Sequence, residues 1–252
     1  MRNVTLIGID CATQPKKTGL ALGVWDGTAV TVQKATVGQN NQSIAASIHA
    51  WLPTTTPVLL AIDAPLGWPA SLGAALFNHC AGDVLTPDAN TLFRRETDRF
   101  VQQTFGKTPL DVGADRIART AHTALRILQE LRELTKQPIP LAWHPNEKAA
   151  IRAIEVYPAA TLTVLFAGKW PPTYKGNNGE NGRKQILRKL QEHLDLPLDT
   201  SFVQQNDDVL DAVICLLCAA DFLQGRTISP QNKTTAQKEG WIWIRQLGEE
   251  HE

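Results

Sequence analysis

Neither sign of charge is in excess in this chain: 25 Lys and Arg balance 25 Asp and Glu over 252 residues. That balance excludes a global pull toward polyanions or acidic membranes, so any nucleic-acid binding has to use a local basic surface. Cysteine is sparse as well. Cys11, Cys80, Cys215 and Cys218 are too few for a disulfide framework, and the last two fall inside an apolar helical run. A reducing compartment is the expectation. A zinc site on Cys215 and Cys218 would need Cys11, His79 or Cys80 beside them, whereas buried cysteine usually serves as a small hydrophobe. No apolar stretch approaches the length of a membrane span. Met1-Arg2-Asn3 leads into a strand-like run rather than a signal peptide, so a cytoplasmic protein with no membrane partner is expected. Common catalytic signatures are missing too. The six histidines form no His-Glu-x-x-His pair, there is no Gly-x-Ser-x-Gly elbow, and no Gly-Lys-Ser/Thr follows the glycine-rich run 176–182.

What is present suits one α/β domain. Hydrophobic residues make up 43% and charged residues 20%, enough for a sizeable core and unlike a disordered composition. Residues 4–10 form an apolar run ending in Asp10, which reads as a strand buried on both faces. Thr18 to Trp25 reads as a second strand, Asp26-Gly27 as a tight turn, and Thr28 to Val37 as the returning third strand. Asn41 to Leu52 has helical spacing. Pro57 to Ile62 is another buried strand, again followed by an aspartate, Asp63. Residues 70–148 read as a mainly helical insertion packed on the core, ending in a long amphipathic helix marked by Ile117, Ala121, Leu125, Leu128, Leu131 and Leu134. Ile151 to Tyr157 reads as a strand stopped by Pro158, 171–182 as a loop, Arg183 to Leu194 as a helix, Asp207 to Leu223 as a strongly apolar helix, and Trp241 to Ile244 as a last short strand. Hairpin strands followed by alternating helices and strands predict a mixed sheet with helices on both faces.

The aspartates carry the chemistry. Hydrolysing a phosphodiester needs an activated water and neutralisation of charge on the attacking and leaving oxygens, which two Mg²⁺ or Mn²⁺ ions roughly 3.5–4 Å apart supply. Such ions take hard oxygen ligands, so their sites are built from a few carboxylates. Asp10 and Asp63 each end a buried strand. Asp208 and Asp211, at i and i+3, project from one helix face. Asp207 and Asp208 could simply cap the helix. Capping does not explain Asp211, which lies about a turn in with apolar neighbours, where a lone carboxylate is costly without a partner or metal.

These blocks carry a resemblance. Leu6-Ile7-Gly8-Ile9-Asp10 followed by Thr18-Gly19-Leu20-Ala21-Leu22-Gly23 resembles the first hairpin of the ribonuclease H-like superfamily. Asp208-Val209-Leu210-Asp211-Ala212 resembles the metal-binding helix of its RuvC-like branch. Ile62-Asp63-Ala64-Pro65-Leu66-Gly67-Trp68-Pro69, Arg95-Glu96-Thr97-Asp98, Glu155-Val156-Tyr157-Pro158 and Asp207 to Ala212 are similar to the domain-of-unknown-function family four-two-nine, a group of predicted nucleases. The resemblance implies a ribonuclease H-like α/β fold and a metal-dependent hydrolase acting on DNA or RNA. By position it implies Asp10 as the bridging ligand, Asp63 as the second-strand ligand, and Asp208 and Asp211 as helix ligands. The second-strand acid in RuvC-like nucleases is usually Glu, so the shorter Asp63 bears on metal spacing.

Several further residues have two readings. Glu155, at a strand end, could join the catalytic carboxylates or pair with Arg95 or Lys175. Arg95 in Arg94-Arg95-Glu96-Thr97-Asp98-Arg99 could grip a substrate phosphate bidentately or hold an ion-pair network. Lys175 and Arg183 flank the 176–182 loop, where a phosphate would suit the helix start. Trp68 could stack a base or pack a Pro-flanked loop. A phosphotransferase of the actin, Hsp70 and sugar-kinase type shares the opening hairpin, but the first loop, Cys11 to Lys17, lacks the glycines it needs. A non-catalytic binding module on this fold is the third possibility.

Overall fold

The computed structural model describes residues 3–113, 115–169 and 171–247. The chain opens with strands β1 (Val4–Asp10), β2 (Gly19–Trp25) and β3 (Val30–Val37), then helix α1 (Ile44–His49) and strand β4 (Val58–Asp63). Four helices follow: α2 (Ala70–Leu76), α3 (Ala89–Phe93), α4 (Glu96–Phe105) and α5 (Asp115–Thr135). The second half runs β5 (Ile151–Glu155), α6 (Pro158–Leu165), α7 (Glu180–Leu190), β6 (Leu194–Asp195), α8 (Ser201–Gln205), α9 (Asp207–Leu223) and α10 (Lys233–Glu239).

The strands form one mixed sheet in the order β5-β4-β1-β2-β3-β6. β1, β2 and β3 pair antiparallel in sequence, while β4 runs parallel to β1, β5 to β4 and β6 to β3. Asp26 closes the β2–β3 turn, its Oδ1 accepting from Thr28 N at 2.8 Å and Ala29 N at 3.0 Å, the local bonding that makes Asp a turn residue.

Alternation along the strands sets the layers. Ile7 and Ile9 of β1 and Leu60 and Ile62 of β4 face a core shared with Ile44 and Ile48 of α1 and with Ala124, Ile127, Leu128 and Leu131 of α5. The segment 70–148 thus gives the sheet part of its second layer. Leu6 of β1 and Leu59 and Ala61 of β4 face the other way, into a core dominated by α9, from Val209 to Phe222. Pleating puts Asp10 and Asp63 on this α9 face. Gly8 and Gly19 let α9 settle there: a Cβ on Gly8 would stand 2.0 Å from the Ala212 carbonyl oxygen, and one on Gly19 1.9 Å from that of Asp208. Helix backbone therefore rests directly on β1 and β2.

Several elements differ from the sequence reading. Pro158 does not merely stop β5; it opens α6 from the first helical turn, where its missing N–H costs nothing. The helix expected at 183–194 begins at Glu180 and ends at Leu190, and Leu194–Asp195 pairs with β3 as a two-residue strand. α10 lies in a stretch with no apolar periodicity. Around Trp241–Ile244 the chain makes isolated bridges, Glu155 with Ile242 and Thr227 with Arg245, rather than a full strand. Among the described residues, no helix is long and apolar enough to cross a membrane.

Candidate metal centre

β1 and β4 lie parallel in a register that makes Asp10 and Asp63 direct neighbours at their C-terminal ends. α9 crosses the same ends and adds Asp211. One carboxylate oxygen from each of Asp10, Asp63 and Asp211 falls within 4.8 Å of the others, the one such group of metal-ligating side chains among the described residues. The sheet thus converts two strand-end aspartates, 53 positions apart in the chain, into a pair, and α9 completes the set.

The cluster is electrostatically strained. Burial first, and then the charges of Asp211 and Asp63, push the Asp10 carboxyl well above the usual carboxylate range. Burial and Asp211 push Asp63 up to about 8. Neither carboxylate accepts a hydrogen bond from any described residue. Asp211, 2% exposed, is better served. Burial raises its pKa, while Lys175, in direct ion-pair contact, and Tyr174, whose hydroxyl donates to Oδ1 at 3.0 Å, work against that. Burial opposes the charge on Lys175, but Asp211 and Asp10 outweigh it and hold the ammonium's pKa above its ordinary value. An ammonium on one edge and two carboxylates without donors leave room for a cation of higher charge. The three-oxygen donor set is what Mg²⁺ or Mn²⁺ takes, so the residues fit such an ion.

The sequence matches, over residues 8–235, a family described as a protein of unknown function, DUF429. The chain belongs to the DUF429 family. None of the curated proteins matches it. The span shared with the family takes in Asp10, Asp63 and Asp211 together with the elements that carry them.

Within this DUF429 chain the other expected site residues take different positions. Asp208 lies outside the three-carboxylate group and faces Lys17 at 3.9 Å, although its charge still contributes to raising Asp10. It does not cap α9: Asn206 does, accepting from Val209 N at 3.1 Å, and Asp207 accepts from Gly176 N at 3.0 Å. Glu155 stands at the end of β5 but is committed elsewhere. Its oxygens accept from Arg95 at 2.9 and 2.7 Å and from Leu66 N at 3.0 Å, which makes it an ion-pair partner rather than a free acid or base.

Arg95 is not a phosphate grip. The residue is 1% exposed, and all five guanidinium N–H groups are spent on Asp98, Glu155 and the Glu239 carbonyl. Nor is Arg183, 3% exposed, which donates to the carbonyls of Gln204, Tyr174 and Gly176 and so fastens the loop that presents Lys175. Lys175 alone of the three expected phosphate ligands reaches the site, on Asp211. Among the described residues the cysteines join no metal-ligating group: Cys218 contacts the Thr161 hydroxyl and Cys215 points at the Ile9 carbonyl. Trp68 is half-buried. Two contributors were not singled out from sequence. Tyr174, adjacent to Lys175, carries the only available signal, a polar aromatic beside a cation in a Pro-flanked loop. Glu239, which accepts from Ala70 N and Glu96 N at 2.8 Å each, carries none.

Proposed function

We propose that this protein is a divalent-metal-dependent nuclease, a hydrolase of DNA or RNA phosphodiester bonds, with Asp10, Asp63 and Asp211 holding Mg²⁺ or Mn²⁺. The observation that carries the reading is the convergence of three carboxylate oxygens within 4.8 Å, two of them on side chains that accept no hydrogen bond from any described residue. Bound there, such an ion supplies an activated water and charge neutralisation at the phosphate. The chain's own part is positional. β1 and β4 fix Asp10 and Asp63 side by side, Tyr174 orients Asp211, and Asp208 adds negative potential from the margin.

The ribonuclease H-like relationship, nearest the RuvC-like branch, belongs to the same proposal, as does a cytoplasmic location. It is supported by an antiparallel three-strand opening followed by parallel strands, with carboxylates at the ends of the first and fourth strands and on a long helix near the end of the chain. The test is a panel of labelled DNA and RNA substrates with Mg²⁺, Mn²⁺ or chelator. Cleavage should need the metal and should disappear in Asp10→Asn, where an amide replaces the central charge. Undiminished cleavage in chelator, or in Asp10→Asn, overturns the proposal.

A further inference from the structure

We infer that the pocket beside the carboxylates receives one unpaired nucleobase of the substrate, so that the site acts on single-stranded or locally opened nucleic acid rather than on intact duplex. This rests on the nuclease reading for the phosphate and concerns the group attached to that phosphate.

A cavity of about 260 Å³ opens beside the ends of β1, β4 and β5, beneath the first turns of α5, and its lining includes Asp10 and Asp63 themselves. Its other walls are largely apolar, formed by Pro65, Pro109, Leu110, Ile117, Val156 and Tyr157. The volume lies between the roughly 150 Å³ that houses a benzene ring and the roughly 300 Å³ at which pockets begin to hold larger ligands. One flat ring system fits; a base pair does not.

Charge decides what can enter. The single cation in the lining is Arg95, and none of its N–H groups remains free. A second phosphate would find no free cation there, only the Tyr157 hydroxyl, and would face Asp10 and Asp63. An uncharged ring meets no such repulsion and can stack against Tyr157 and the prolines. The half-buried Tyr157 hydroxyl makes no hydrogen bond to any described residue, so it is available to a polar edge of that ring. Because Asp10 and Asp63 belong both to the candidate metal centre and to the pocket wall, whatever fills the pocket sits within one nucleotide of a phosphate held at the carboxylates. In a polynucleotide the uncharged planar group at that spacing is the base. A base still paired within a duplex has to swing out of its stack before it can enter.

The test compares Mn²⁺-dependent cleavage of one labelled strand as a single strand, as a duplex, and with an abasic position at the cut site, in wild type and in Leu110→Asp. Leu110 is 70% exposed, so the change sets a charge on the pocket wall without emptying the core. In parallel, each of the four common nucleosides, at millimolar concentration and without metal, is tested for raising the melting temperature. Pairing, loss of the base and Leu110→Asp should each lower cleavage by about fivefold to a hundredfold, the range that loss of one stacked base brings. At least one nucleoside should stabilise wild type and not Leu110→Asp. Equal cleavage of all three substrates, with no nucleoside effect, overturns the pocket assignment and leaves the nuclease reading standing. Nucleoside binding that Leu110→Asp removes, without cleavage of any strand, supports the pocket and overturns the nuclease reading.

Discussion

On the metal-site proposal Lys175 holds the place of a cation in the metal-free protein, and its replacement by glutamine tests that description from two sides. Its ammonium is ion-paired with Asp211, whose side chain is 3% exposed, while the lysine side chain itself is 53% exposed. A hydrogen bond to a charged group contributes about 1.5–3 kcal/mol. Solvent on the lysine side screens part of that, so about 1–2 kcal/mol is a fair magnitude here. Lys175→Gln should therefore lower the melting temperature of metal-free protein by about 2–8 °C, at roughly 2–4 °C per kcal/mol for a chain of this size. A metal that takes the ammonium's place releases Lys175 to water, so the metal-bound states of the two proteins should differ little. The lost stability then reappears as affinity: Mn²⁺ should bind Lys175→Gln about fivefold to thirtyfold more tightly than wild type. Differential scanning calorimetry of chelator-stripped protein gives the first number and titration calorimetry with Mn²⁺ the second. An unchanged metal-free melting temperature, or Mn²⁺ affinity that stays level or falls, refutes the placeholder role.

Three further outcomes follow from the same geometry. With Asp63 raised to about 8 against an unfolded value near 3.9, the folded state holds a proton that the unfolded chain has released. Asp63's contribution to metal-free stability should then be full below about pH 4 and be lost as pH rises to about 8, and Asp63→Asn should remove that component of the slope in melts across the range; parallel slopes in the two proteins would refute it. Arg95→Met strands Asp98 and Glu155 as buried charges and should cost about 3–5 kcal/mol, or roughly 6–20 °C in melting temperature; an unaltered melt combined with weaker substrate binding would restore Arg95 as a phosphate ligand. Gly8→Ala drives a methyl into the Ala212 carbonyl and should cost about 3 kcal/mol or more. It should also weaken Mn²⁺-induced stabilisation, because α9 has to lift off β1; a variant that melts and binds Mn²⁺ like wild type would show that α9 does not need this close approach.

Legibility in the sequence followed the range of the interactions involved. β1 and β4 were readable because each is a run of apolar residues ending in Asp, and α9 because its apolar run is too long for a strand. Asp211 stood out as a carboxylate one turn inside that helix. The arginines misled for the opposite reason. Arg95 kept two readings because Asp98 is three residues away, whereas Glu155 is 60 away and Glu239 144 away, and the two long spacings leave no trace in local pattern. Arg183 bonds backbone carbonyls, which have no sequence identity at all. Pro158 read as a stop because the same residue that ends a strand also suits the first turn of a helix. Gly8 and Gly19 did carry a signal, since glycine within a strand often marks close backbone approach, and both lie under α9.

The contrast between the chain's carboxylates is the strongest physical argument for a cation at the cluster. Glu155 and Asp98 share a fully bonded arginine. Asp221, equally buried near the end of α9, receives Arg245 through two hydrogen bonds of 2.9 and 2.6 Å. Burying an ionised carboxylate costs several kcal/mol unless it is paired and hydrogen-bonded, and in these three cases the fold supplies the pair. At Asp10 and Asp63 it supplies no donor among the described residues, and at Asp211 it supplies the Tyr174 hydroxyl and a half-exposed lysine on a loop pinned by Arg183. Packing alone would not favour crowding these carboxyl groups on two adjacent central strands, where burial and mutual repulsion hold Asp10 and Asp63 above the ordinary carboxylate range. A site that binds a divalent ion needs that crowding, because a carboxylate whose charge is already matched by arginine offers a metal ion little net attraction.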